Sequence, residues 1–129
     1  MAALAQTYKP FWKMNWKALD NIDQIDEILE RSKVVPCAIL KHSTTCSISA
    51  MAKYRLEDDW DFEPTALEPY LLDLLSYRSI SNKLAEVFQV HHESPQVLLI
   101  VNGECIFDTS HLDISVSELQ EALVVEGKF

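Results

Sequence analysis

Glycine is almost missing from this chain. Its 129 residues hold two, Gly103 and Gly127. Neither a GxxxxGK[ST] phosphate loop nor a GxGxxG dinucleotide fingerprint can be built from them. Cysteine is sparse as well: Cys37, Cys46 and Cys105 form an odd set with no CxxC pair. Such a set is a poor disulfide framework and no zinc finger. Positive charge is short, with 11 Lys and Arg against 20 Asp and Glu and a net charge of −9. That argues against a nucleic-acid partner, because phosphate contacts need clustered bases. No apolar run is long enough for a membrane span, and Met1 to Phe11 lacks a basic region followed by an apolar one. A cytosolic protein with reduced thiols is the expectation.

What is present suits one globular domain. Hydrophobic residues make up 48% of the chain, and its length allows one core rather than two. Residues 1–15, with Pro10, read as a loose arm or a short first strand, and a first strand is expected around Met14 to Ala18. From Asp20 to Arg31, Ile22, Ile25, Ile28 and Leu29 recur at helical spacing, with Asp20 or Asn21 as cap. Val34 to Leu40 reads as a buried strand with Pro36 near its start. The polar segment Lys41 to Thr45 is expected to end that strand and to cap a helix starting near Cys46. That helix would turn Ile48, Met51 and Ala52 inward. The acidic stretch Glu57 to Glu63 reads as a solvated loop with Trp60 and Phe62 tucked in, and no spacing there supports a metal site. Tyr70 to Leu75 reads as a strand, although periodicity alone also allows a helix. Ser81 is the expected cap of a helix burying Leu84, Val87 and Phe88.

Asn102-Gly103 between Pro95–Val101 and Glu104–Asp108 is a strong hairpin signal, since both turn residues need positive φ. Ser115 followed by Glu118 has capping-box spacing for a last helix burying Val116, Leu119 and Leu123. A strand–helix–strand unit implies parallel pairing through a right-handed crossover. The whole order gives an α/β, thioredoxin-like plan: a central mixed sheet of four or five strands with helices on both faces.

Cys46 is the candidate nucleophile. It lies where a central strand hands over to a helix N-terminus, whose free N–H groups favour a thiolate over a thiol. Thr44, Thr45, Ser47 and Ser49 add hydrogen-bonding hydroxyls, and Lys41 and His42 lie just upstream as sources of positive charge. The opposing reading is a buried structural cysteine, against which the polar flank Ser43 to Ser49 speaks. Cys37 and Cys105 are expected at the other end of the sheet as structural residues, leaving Cys46 no internal partner. His91 and His92 read as loop residues.

Three segments, Lys41-His42-Ser43-Thr44-Thr45-Cys46-Ser47-Ile48-Ser49, His92-Glu93-Ser94-Pro95-Gln96 and Asp108-Thr109-Ser110-His111, together resemble the monothiol bacilliredoxin family. The match runs in register over roughly residues 20 to 125. The resemblance implies a thioredoxin fold and removal of bacillithiol from mixed disulfides on protein cysteines. It places Cys46 on the nucleophile within a Thr45-Cys46-x-Ile48-Ser49 motif and Ser49 on the lost resolving position. It places Ser94-Pro95 on the cis-proline site that faces the sulfur. His42 and His111 would bias charge there or contact the carboxylates of bacillithiol. The implied partners are S-thiolated proteins, bacillithiol or a similar small thiol as co-substrate, and a thiol or reductase for regeneration, with no bound cofactor. Some members carry proline where this chain has Ser47, and Leu40 stands where dithiol thioredoxins often place a buried acid. Two other readings stay open. One is an iron–sulfur-cluster protein, although the Gly-Phe-Ser signature of that group is absent; the other is a non-catalytic interaction domain.

Overall fold

The computed structural model describes residues 14–128; of the arm expected at residues 1–15, residues 1–13 lie outside them. Five strands form one sheet in the order β1-β3-β2-β4-β5. They are β1 (Lys17–Ala18), β2 (Cys37–His42), β3 (Glu68–Asp73), β4 (Gln96–Val101) and β5 (Glu104–Ser110). β1 and β2 flank β3 in parallel, and β4 and β5 continue antiparallel from β2. Among the described residues three α-helices connect them, α1 (Gln24–Arg31), α2 (Ser47–Asp59) and α3 (Arg78–Phe88), and α4 (Val116–Val125) follows the last strand.

Strand alternation divides the core into two layers. Cys37 and Ile39 of β2 join Ile25 and Ile28 of α1 and Ile80 and Leu84 of α3. Ala38 and Leu40 join Ala52 and Leu56 of α2 and Leu119 and Leu123 of α4. Helices therefore cover both faces, as the sequence led us to expect. The hairpin is also as expected, with Asn102 at φ 51 and Gly103 at φ 76. So is the last cap, where Ser115 Oγ accepts from the Glu118 N–H at 3.2 Å.

Several boundaries differ from the sequence expectation. β2 starts after Pro36, and Val34 lies outside it at 75% exposure. The strand instead runs on through Lys41 and His42, because Lys41 still pairs with Leu72 and Gln96 and His42 with Asp73. β3 begins two residues earlier than expected and takes in Pro69. The Glu68 N–H bonds to Pro36 O on the β2 side, so Pro69 turns its missing N–H toward the other side, where the two-residue β1 has not yet begun. Helix α2 absorbs Glu57 to Asp59, which the sequence assigned to a loop, and it buries Ser49, Ala52 and Leu56. Ile48 and Met51, expected inward, are exposed, Met51 by 55%. Ser81 does not cap α3, which begins at Arg78 after Tyr77. Before α1, Asn21 Oδ1 accepts from the Asp23 N–H at 2.9 Å, Gln24 Oε1 accepts in turn from the Asp20 and Asn21 N–H groups, and Asp23 holds the cap position without a side-chain bond. Among the described residues no helix is long and apolar enough to cross a membrane.

Candidate functional site

Lys41 pairs with Gln96 and Gln96 with Ser110. That register gathers three connections at one end of the sheet: residues 43–46 after β2, residues 91–95 before β4, and His111 after β5. All three segments singled out in the sequence meet there.

Cys46 is the N-cap residue of α2, with an extended backbone at φ −108 and ψ 123. Its carbonyl accepts from the Ala50 N–H at 3.0 Å, the first bond of the helix. No side chain caps this terminus, and no acid lies in its first turn. The expected hydroxyl caps at Ser43 to Thr45 are therefore absent: Ser43 and Thr45 bond to each other at 3.3 Å instead. The half-buried Cys46 thus stands at a helix start whose first N–H groups no side chain caps. Thr45 precedes it on the exposed rim.

Ser49 lies one turn inside α2 and is fully buried. Its oxygen accepts from the Ser43 N–H at 3.0 Å and sits 2.6 Å from His42 Nδ1. The hydroxyl thus locks the loop that carries Cys46 onto β2. His42 is turned inward by strand alternation. Burial is the main cause that lowers its pKa from 6.5, helped by the Lys53 charge and opposed by Asp73 and Glu57. At pH 7 it is a neutral imidazole, so the positive charge expected of it is not supplied. Leu40, at the place of the buried acid, packs in the apolar layer beneath α2.

Across the sheet the Ser94–Pro95 peptide is cis. Pro95 O accepts from the His111 N–H at 3.0 Å. Exposed His111 has φ 55, and its Nε2 lies 3.5 Å from Glu93 Oε2. Gln96, buried at the start of β4, donates from Nε2 to His91 O at 2.9 Å and accepts from the Glu93 N–H at 3.4 Å. A lone amide at the head of an apolar strand is the sequence signal for Gln96, whereas nothing in the spacing marks Lys41 as buried.

Residues 17–119 match the family described as monothiol bacilliredoxin BrxC. The chain belongs to the monothiol bacilliredoxin family. A solved structure described as a proposed oxidoreductase with a thioredoxin fold is 36% identical to it. The match covers 81% of this chain and 90% of that one, with TM-score 0.71. Thioredoxin from Trypanosoma brucei brucei has TM-score 0.71 at 11% identity, covering 95% of this chain and 99% of its own. Mitochondrial thioredoxin 3 from Saccharomyces cerevisiae has TM-score 0.66 at 14% identity, covering 85% and 94%. The last two share the fold. In this bacilliredoxin the third residue after Cys46 is Ser49, so the start of α2 carries no second cysteine. The other two thiols lie at the far end of the sheet, where Cys37 pairs with Ile100 and Ile100 with Cys105. All three cysteines are free.

Proposed function

We propose that this protein is a monothiol thiol-disulfide oxidoreductase that removes bacillithiol, or a similar small thiol, from mixed disulfides on protein cysteines. The observation that carries this reading is the placement of Cys46. It is the one cysteine at a helix N-terminus, with no second thiol in its neighbourhood. The Cys46 thiolate attacks the small-thiol sulfur of the mixed disulfide. A new disulfide forms on Cys46, the old one breaks, and the target cysteine leaves as a thiolate that takes up a proton. A second molecule of the small thiol then attacks the adduct. It leaves as the symmetrical disulfide and restores Cys46; a disulfide reductase can serve instead. With Ser49 at the second position, no internal thiol competes for the adduct. In this reading Ser94, Pro95 and His111, at the same end of the sheet as Cys46, form the substrate-binding side, with Thr45 beside the thiol.

The test offers the protein a target carrying a bacillithiol mixed disulfide and, in parallel, one carrying glutathione. Release of the target thiol in step with loss of its adduct is expected, faster with the preferred small thiol. Targets that stay modified in both arms would refute the reading.

A further inference from the structure

Lys41 and His42 are neighbours on β2 and point to opposite faces of the sheet. His42 meets Ser49 beneath α2. Lys41 goes to the other face and is 0% exposed. Among the described residues its ammonium meets no carboxylate. Its partner is His92 Nδ1, at 3.2 Å. Ser81 Oγ lies 3.4 Å from the same nitrogen. An ammonium buried without a counter-ion is costly, and an apolar side chain of the same length would fill the space without that cost. The cost goes into a bond to the loop that bears Ser94–Pro95.

We propose that Lys41, acting through His92, is a positioning residue that holds the Ser94–Pro95 loop in place for the mixed disulfide, and that protonation of His92 releases this hold. The inference rests on the thiol-transfer reading above. Neutral His92 offers an Nδ1 lone pair, and the ammonium donates to it. Protonated His92 carries hydrogen on that nitrogen, so two donors and two like charges face each other. The groups around His92 are Lys41 on β2, Ser81 and Arg78 on α3, and His91 and Glu93 in its own loop. Burial lowers its pKa most; Lys41, His91 and Arg78 lower it further, and Glu93 opposes them. Burial also brings Lys41 down to about 8. The hold is therefore intact at neutral pH and lost as the pH falls through the lowered value of His92. Gln96 ties the same loop without titrating. The Glu93–His111 contact at 3.5 Å is a further tie on that loop.

The experiment measures kcat and KM against pH on a small-thiol mixed disulfide, for wild type, Lys41→Met and His92→Asn. Asparagine places an oxygen acceptor near the Nδ1 position and does not titrate. Lys41→Met should raise KM roughly tenfold or more at neutral pH, the effect of losing one charged hydrogen bond from the docking loop. It should also remove the acid-side rise in KM. His92→Asn should keep the wild-type KM at neutral pH and flatten the acid side. NMR gives a second reading on the same chains. The Ser94 and Gln96 amide signals should follow the His92 titration in wild type, and Lys41→Met should move its midpoint up toward 6.5. Wild-type KM and pH profile in Lys41→Met, or Ser94 and Gln96 signals indifferent to His92, would overturn the proposal. A wild type that transfers no thiol would sink the function, while the NMR reading would still decide the clamp.

Discussion

At the end of the sheet that holds the Asn102-Gly103 turn, Cys37 is walled in beside the Glu68 carboxylate. At the other end, Cys46 caps a helix whose first turn has no acid. Burial pushes the Cys37 thiol up to about 12, and the Glu68 charge adds to the rise. Cys105, in the same cross-strand row, is pushed up to about 11, again mainly by burial. Local composition does not explain the contrast, because Cys37 and Cys46 share a strand and its following loop. Position does: one thiol is buried in an apolar layer beside an anion, and the other belongs to a half-buried residue at an uncapped helix start. A sheet with a thiol at each end can therefore keep one inert and expose the other to exchange.

The largest expected effect comes from deleting the exposed thiol. Cys46→Ser should reduce small-thiol removal to the rate without protein, whereas Cys37→Ser and Cys105→Ser should leave the initial rate unchanged. A large loss in either of the latter would break the contrast. Alkylation reads the same difference without any substrate. A thiol at about 12 holds roughly one part in 10⁵ as thiolate at pH 7. Brief iodoacetamide treatment of the folded chain should modify Cys46 and spare Cys37 and Cys105, with peptide mapping as the readout.

The far end is expected to matter for stability instead. Glu68 is buried and is held by Arg31 at 2.7 Å, Lys17 at 3.2 Å and the Tyr70 hydroxyl at 3.0 Å. Burial alone would raise its pKa, but these partners outweigh burial and hold it below 4.5. A depressed carboxylate stabilises the fold above its unfolded value, and that contribution is lost as the pH falls through the folded one. Glu68→Gln should cost roughly 1–3 kcal/mol at pH 7, discounted for the partly exposed Arg31 and Lys17. As the pH drops below 4.5 the gap to wild type should close. Denaturant titrations at several pH values check this, and adduct formation at Cys46 should not change. A smaller effect is expected from Ser49→Ala, which leaves the Ser43 N–H and His42 Nδ1 without their partner. A loss of about 1–2 kcal/mol should appear in thermal unfolding.

Much of this contrast was legible in the sequence. The Asn102-Gly103 turn and the apolar run before it fix β4 and β5. Cys46 follows β2 at the end opposite that turn, which separates it from Cys37 and Cys105. Spacing could not show where polar residues continue an element. Lys41 and His42 read as the end of a strand because they are polar, yet both are buried in it, Lys41 bonded to His92 in a distant loop and His42 to Ser49 in the next helix. The same blindness moved the start of α3, since Ser81 looked like a cap and instead lies inside the helix against His92. The inward face of α2 differs from its apolar spacing for a related reason. Ser49 is buried by its bonds to Ser43 and His42, which turns Ile48 and Met51 outward.

The most direct test of the account follows the mass of the intact protein while it meets a target bearing a bacillithiol mixed disulfide, and then maps the modified residue. The account predicts one small-thiol adduct per chain, on Cys46, formed as the target thiol appears and lost when free small thiol is added. An adduct shared with Cys37 or Cys105, or target release with Cys46 unmodified throughout, would contradict it.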